Sequence, residues 1–127
     1  MAALADTTAT DGGLDHSRLT HLVGYAASRA SIELKKVFTR HLGPLDLKAV
    51  EFSILVLVAH NDEVNQKQIG QALDVSPPNM AVTLDRMVER GWVERVRSEK
   101  DRRAMIIHLT KKGRELVARA EKRAATM

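Results

Sequence analysis

An aspartate and an arginine separated by one residue, Asp101 and Arg103, stand in the segment 98–113 (SEKDRRAMIIHLTKKG), with Lys100 and Arg102 beside them. A carboxylate among cations is repelled by phosphates unless a cation neutralises it, so its chemistry here is that of an orienting partner. In a tight turn the two are expected to form a bidentate pair that aims the Arg103 guanidinium at a narrow minor groove. Lys100 and Arg102 then serve as general phosphate contacts. The plain alternative is an ordinary charged hairpin turn, and only the surrounding sequence favours the first reading.

A second set lies upstream. Pro78, Asn79, Val82, Arg86 and Glu89 fall opposite Met80, Leu84, Met87 and Val88 if residues 76–90 are helical. Asn79 can bond a base edge or a phosphate, Arg86 can reach a guanine or a phosphate, and Val82 and Pro78 can meet a thymine methyl. Read alone, Asn79 equally well completes a helix cap and Arg86 equally well decorates a solvated face. Gln66 and Ser76, at the starts of two short helices, complete the candidate DNA contacts.

The elements that must position these residues follow from local patterns. Residues 92–97 alternate as a half-buried strand, and Met105, Ile107 and Leu109 fall on one face of another. Asn65 and Gln68 have the spacing of a capping box, with Ile69, Ala72 and Leu73 as the buried face behind it. Asp74-Val75 turns the chain, Ser76 is a good N-cap before Pro77-Pro78, Gly91 closes the second helix and Thr110 caps a third. A helix-turn-helix followed by two strands is the order of a winged helix.

Outside this unit, Leu19, Leu22, Val23, Ala26, Ala30, Leu34 and Val37 recur at three- and four-residue steps. They predict one long helix over residues 17–41, stopped by Gly43-Pro44. Its stripe exceeds what one winged-helix core can cover, which implies packing against another subunit. A helix over about 48–60 should turn Phe52, Leu55, Val56 and Ala59 inward. A last helix from about Lys111 carries Leu116, Val117, Ala120 and Ala124 inward and is still helical in pattern at Met127, so it reads as stopping early.

Composition narrows the function classes. A chain of 127 residues suffices for one domain, and 44% hydrophobic with only 3% aromatic residues suits packed helices better than a β-sandwich. The net charge of +4 is concentrated: Arg86, Arg90, Arg95, Arg97, Lys100, Arg102 and Arg103 face Glu89, Glu94, Glu99 and Asp101, which points to a polyanion. With no cysteine, disulfides, thiolate metal sites and cysteine redox switches are excluded. The five histidines lack short ligand spacing, and neither a phosphate loop nor a nucleophile elbow is present, so no metal, cofactor or catalysis is expected. No apolar run approaches the roughly 20 residues of a membrane span, and the start of the chain lacks a signal peptide's pattern, so a cytoplasmic protein without membrane contact is expected. Residues 1–14, small and polar, read as a disordered tail.

Ile69-Gly70-Gln71-Ala72-Leu73, Ser76, the run from Asp85 through Gly91-Trp92-Val93-Glu94-Arg95, Asp101-x-Arg103 and Leu109-Thr110-x-x-Gly113 together resemble the multiple antibiotic resistance regulator (MarR) family of transcription factors. The resemblance implies a mainly α winged helix-turn-helix fold with a small β wing and long terminal dimerisation helices. Within a single domain, 15–127, it implies a first dimerisation helix over 15–44, a winged helix over 46–110 and the start of a second dimerisation helix over 111–127. The function implied is that of a homodimer on a pseudo-palindromic operator in double-stranded DNA, associated with the nucleoid of a bacterial or archaeal cell, usually repressing until a small-molecule effector releases it. Two departures stand out. Val82 occupies a position where many members carry a polar or basic residue, and Pro77-Pro78 replace more usual polar ones.

The family's ligand pocket lies between the dimer helices and the DNA-binding lobe. Tyr25 and Arg29 are one turn apart there, with Phe52 available on the next helix, and an arginine beside aromatic rings suits an aromatic or other carboxylate ligand. Dimer or surface contacts explain Tyr25 and Arg29 equally well. Two other readings stay open: a winged helix used only for protein contacts, and a metal-responsive regulator.

Overall fold

The apolar stripe near the start of the chain folds as two helices rather than one. In the computed structural model, which describes residues 13–126, α1 spans Ser17–Thr20 and α2 spans Val23–Leu42. The expectation of a disordered tail falls almost wholly on residues 1–12, outside the described residues. Leu22 is the break: its backbone is extended, with φ −82° and ψ 127°, and its carbonyl then accepts the Ala26 amide as α2 begins. Gly24, two residues on, is among the weakest helix formers and gives the chain little drive to bridge the gap.

Gly43-Pro44 ends α2 as the sequence predicts, through a 3-10 turn at Gly43–Leu45 reversed by Asp46 at φ 54°. Helix α3, Ala49–Ala59, buries Glu51, Ile54, Leu55 and Val58. Phe52 and Val56 are only half-buried and Ala59 is exposed, contrary to the inward face read from the sequence. The reason is that AVEFSILVLVA is apolar on nearly every side, so its periodicity cannot single out a face and packing against the other elements decides.

Helix α4, Gln66–Leu73, starts on the expected capping box: Asn65 Oδ1 accepts the Gln68 amide at 2.8 Å, and the Asn65 amide donates back to Gln68 Oε1 at 2.9 Å. Ile69 and Gly70 form its buried side while Ala72 is exposed. Gly70 takes the inner place because a Cβ there would stand 3.1 Å from the Val75 carbonyl oxygen. Asp74, at φ 54°, makes the turn.

Helix α5, Pro77–Glu89, begins at Ser76 through the backbone alone, the Ser76 carbonyl accepting the Met80 amide at 2.9 Å; its side chain makes no capping bond. Met80, Leu84 and Met87 are buried, whereas Val88, at the margin of that stripe, is exposed. Gly91 (φ 76°) then turns the chain into strand β1, Val93–Arg97, which pairs antiparallel with β2, Met105–Leu109, in the register Val93↔Leu109 and Arg97↔Met105. Simple alternation fails in β2, where Ile106 and Ile107 are both buried and Met105 is exposed. The Ile107 amide also bonds the Val64 carbonyl at 2.7 Å, so β2 is held on both edges.

Helix α6, Lys111–Ala124, is capped by Thr110, whose Oγ1 accepts the Gly113 amide at 3.0 Å and donates to the Gly91 carbonyl at 2.6 Å. Leu116, Val117 and Ala120 are buried and Ala124 is half-buried. The helix ends at Ala124 rather than running on as its pattern suggests, and Met127 lies outside the described residues. The core joins α3 to α6 with Trp92, Val93, Ile107, Leu84 and Met87 between them. Of the predicted stripe, Leu19, Leu22, Val23 and Leu34 stay exposed while Ala26, Ala30 and Val37 are half-buried, so much of it is uncovered in a single copy; Ile32 beside it is exposed as well.

Candidate nucleic-acid interface

Pro78, Asn79 and Val82 are exposed on the outer side of α5, and Arg86, one turn further, is half-buried. Val82 leaves 59% of its surface in water, an apolar side chain that only an external partner would cover. Beside them Ser76 is exposed and Gln66, at the start of α4, is half-buried. A groove of about 800 Å³ lined by Gln66, Lys67, Gln71, Val75, Ser76 and Pro77 runs along α4 and the turn to the start of α5.

Arg95, which the sequence offered only as one of several basic residues and as the end of the family-like run from Asp85, ties this surface together. From β1 its Nη2 donates to Asp85 Oδ1 on α5 at 2.8 Å and lies 3.5 Å from Gln66 Oε1 on α4. The second contact is at the limit of a hydrogen bond, so Asp85 is the main anchor. No spacing rule connects residues 85 and 95, because their meeting depends on how β1 packs against α5.

The wing turn has a built frame that was also missed. Ser98 is 3% exposed, and its Oγ accepts the amides of Lys100 and Asp101 at 3.1 Å each. Arg97 Nη1 donates to the Arg102 carbonyl at 2.9 Å. Asp101 Oδ1 accepts the Arg103 amide at 3.1 Å and stands 3.5 Å from Arg103 Nε. The expected bidentate fork is therefore absent: one side-chain nitrogen approaches, and the Arg103 side chain is 93% exposed. Two residues apart in a tight turn, the Arg103 amide reaches the carboxylate before the guanidinium can.

Ion pairs sort the cations. Arg90 is bound to Asp46 and Arg95 to Asp85, whereas among the described residues Arg86, Lys100 and Arg102 hold no ion pair. No carboxylate of the described residues neutralises those three.

The candidate ligand residues lie in two separate aromatic contacts. Tyr25 Oη is 2.8 Å from His16 Nδ1, and Phe52 packs edge-to-face on Phe38 with centroids 5.6 Å apart. Arg29 is half-buried on α2 one turn from Tyr25. His60 Nε2 meets Glu121 Oε1 at 2.8 Å and His41 Nδ1 meets the Val37 carbonyl at 2.9 Å. Among the described residues no three His, Cys, Asp or Glu side chains gather as metal ligands, and no helix is long and apolar enough to cross a membrane.

A helix-turn-helix with an exposed outer face, followed by a two-stranded basic wing braced to it, defines a winged helix-turn-helix protein. Residues 45–104 match the family model described as MarR family. The transcriptional repressor CouR, solved bound to a 23-mer DNA duplex, is 39% identical over 89% of this chain and 80% of its own, with a TM-score of 0.81. CouR bound to p-coumaroyl-CoA is 37% identical over 89% and 78%, with a TM-score of 0.82. The multiple antibiotic resistance protein MarR of Escherichia coli K12 is 29% identical over 96 residues, 76% of this chain and 62% of that protein, so the match spans less than two thirds of that relative's length. The chain belongs to the MarR family.

Proposed function

We propose that this protein is a sequence-specific regulator that binds duplex DNA as a homodimer and represses transcription until a small effector releases it. The observation that carries this reading is Arg95, which joins the wing strand, α5 and the start of α4 into one surface studded with Pro78, Asn79, Val82 and Arg86. The likeness to CouR bound to duplex DNA supports it. In this reading Gln66, Ser76 and the cations Lys100 and Arg102 hold phosphates, while Asn79, Val82, Arg86 and Arg103, oriented by Asp101, read bases and groove shape. The uncovered stripe on α1 and α2 is the dimer surface, and α6 supplies the second dimerisation helix. The protein acts in the cytoplasm, on the nucleoid, by binding rather than by catalysis.

Selection of bound sequences from random duplex DNA tests the reading. The expected result is enrichment of a pseudo-palindrome, with affinity falling steeply as salt rises. No enrichment, or an affinity indifferent to salt, overturns it in favour of a winged helix used for protein contacts. Lys100→Ala should weaken all sequences alike and reduce the salt slope by about one. If that variant instead changes the selected sequence, the wing reads bases at Lys100 and the assignment of phosphate contacts is wrong.

For the effector we assign Tyr25, Arg29 and Phe52, with an aromatic acid or its coenzyme A thioester as ligand; CouR bound to p-coumaroyl-CoA supports that class. Arg29→Ala should keep the dimer and its DNA affinity yet lose release by p-coumaroyl-CoA or a free hydroxycinnamate, because only differential affinity for two states shifts them. Sedimentation beside DNA titrations decides it. A monomeric variant would make Arg29 a dimer contact and remove the assignment.

A further inference from the structure

The C-terminal end of α5 is gripped where three other parts of the fold meet. Arg90, its C-cap, donates from Nη1 to the Asp46 carbonyl at 3.0 Å and from Nη2 to Asp46 Oδ2 at 2.8 Å. Its guanidinium lies 3.9 Å over the Trp92 ring, and its own carbonyl accepts Lys112 Nζ at 3.1 Å. Asp46 is the residue that turns the chain out of α2 into the winged helix, held at φ 54° although it is not glycine. Lys112 belongs to the first turn of α6. Helix α5 is thus bolted at its C-terminal end to the roots of both flanking helices, while Pro78 and Asn79 lie exposed at the other.

Met80, Leu84 and Met87 pack α5 into the winged helix and Asp85 holds Arg95, so the joint is a lever on that unit as a whole, with Pro78 and Asn79 at its far end. From Arg90 to Asn79 is roughly 17 Å of helix, so a rotation of about 10° at the joint carries Asn79 about 3 Å. One base pair rises about 3.4 Å. The ion pair sits at the surface, with Asp46 91% and Arg90 30% exposed, where such pairs add little to stability. Its geometry is nonetheless well defined, because a planar fork bonded at two points and stacked on a ring cannot swing. A contact that stabilises little but orients firmly suits positioning.

We propose that the Asp46–Arg90 clamp sets which spacing between two half-sites the protein accepts, Asp46 and Arg90 acting as positioning residues that touch no base. The proposal rests on the reading of the protein as a dimer on duplex DNA. Asp46→Gly is the informative change, since glycine accepts φ 54° and keeps the turn while the carboxylate is lost. Asp46→Asn keeps both the turn and a neutral acceptor. Arg90→Met keeps an apolar stem over Trp92 without the fork.

The full-length chain and each variant are titrated against duplexes carrying two selected half-sites at the preferred separation and at one and two base pairs more or fewer. For the unaltered protein, affinity should fall about tenfold or more with the first step. Asp46→Gly and Arg90→Met should keep the dimer and the half-site preference yet flatten the spacing profile to within about threefold, with Asp46→Asn between. An unchanged profile, at equal or uniformly lower affinity, overturns the proposal, and a lowered Tm with that unchanged profile shows the clamp to be merely structural. An unaltered protein that binds all spacings alike overturns the spacing role alone. One that binds no duplex overturns the DNA reading, and the clamp's role falls with it.

Discussion

Gly113→Ala lowers the stability of this protein by about 3 kcal/mol or more, the upper end of what overpacking costs. A Cβ at Gly113 would lie well inside contact distance of the Trp92 carbonyl oxygen, with the Trp92 carbonyl carbon at 3.0 Å. That carbonyl cannot step aside, because it accepts the Thr110 amide at 3.0 Å and Thr110 Oγ1 stands 3.1 Å from it. Trp92 itself is 4% exposed beneath Arg90. The first turn of α6 would have to lift off the Gly91-Trp92 turn ahead of β1, breaking the Thr110 cap and the Lys112 contact together. Since a domain holds only about 5–15 kcal/mol in all, much of the population would unfold on mild heating.

Two other glycines calibrate the measurement. Gly70→Ala should cost less, its Cβ meeting the Val75 oxygen at 3.1 Å, and Gly24→Ala should be neutral or stabilising by up to about 1 kcal/mol, since nothing lies within 4 Å. Urea unfolding of the three variants gives the order directly. A Gly113→Ala protein as stable as Gly24→Ala would mean that α6 and the Trp92 backbone do not approach as described.

Arg103→Ala weakens binding to the selected operator by about 1–3 kcal/mol, roughly 5- to 150-fold in Kd. The Arg103 side chain is 93% exposed and touches little of the fold, so its removal should leave stability unchanged and remove only a contact to DNA. Asp101 acts differently. Its carboxylate holds the Arg103 amide at 3.1 Å, so it shapes the turn more than it steers the guanidinium. Asp101→Asn keeps an amide acceptor and should retain most of the affinity, whereas Asp101→Ala should lose part of the same energy that Arg103→Ala loses. In a double-mutant cycle Asp101→Ala and Arg103→Ala should therefore be non-additive. Additive losses would sink the idea that the aspartate works through the arginine.

What could be read without a structure was carried by neighbours in the chain. Asn65 with Gln68, Thr110 with Gly113, Gly91 and the Gly43-Pro44 stop are decided within three or four residues, because caps and turns satisfy backbone groups close in sequence. The buried faces of α5 and α6 followed from the same short range, with Val88 as a marginal error. The order of two short helices, two strands and a helix, and with it the winged-helix class, needed nothing more.

Tertiary packing decided the rest. An α3 that is apolar on nearly every side carries no periodic signal, so its inner face, Ile54, Leu55 and Val58 with Glu51, was set by what packs on it rather than by its own residues. The break at Leu22 and the replacement of a bidentate Asp101–Arg103 fork by an amide bond with one long side-chain contact turn on backbone geometry that residue types do not encode. Above all, Arg90 with Asp46 and Arg95 with Asp85 join residues 44 and 10 positions apart. Residue types by themselves thus determined the caps at Asn65 and Thr110, the turns and the exposed face of α5. Which arginines are neutralised and which keep their charge was decided only by the fold, since an ion pair depends on the distance between side chains and not on their separation along the chain.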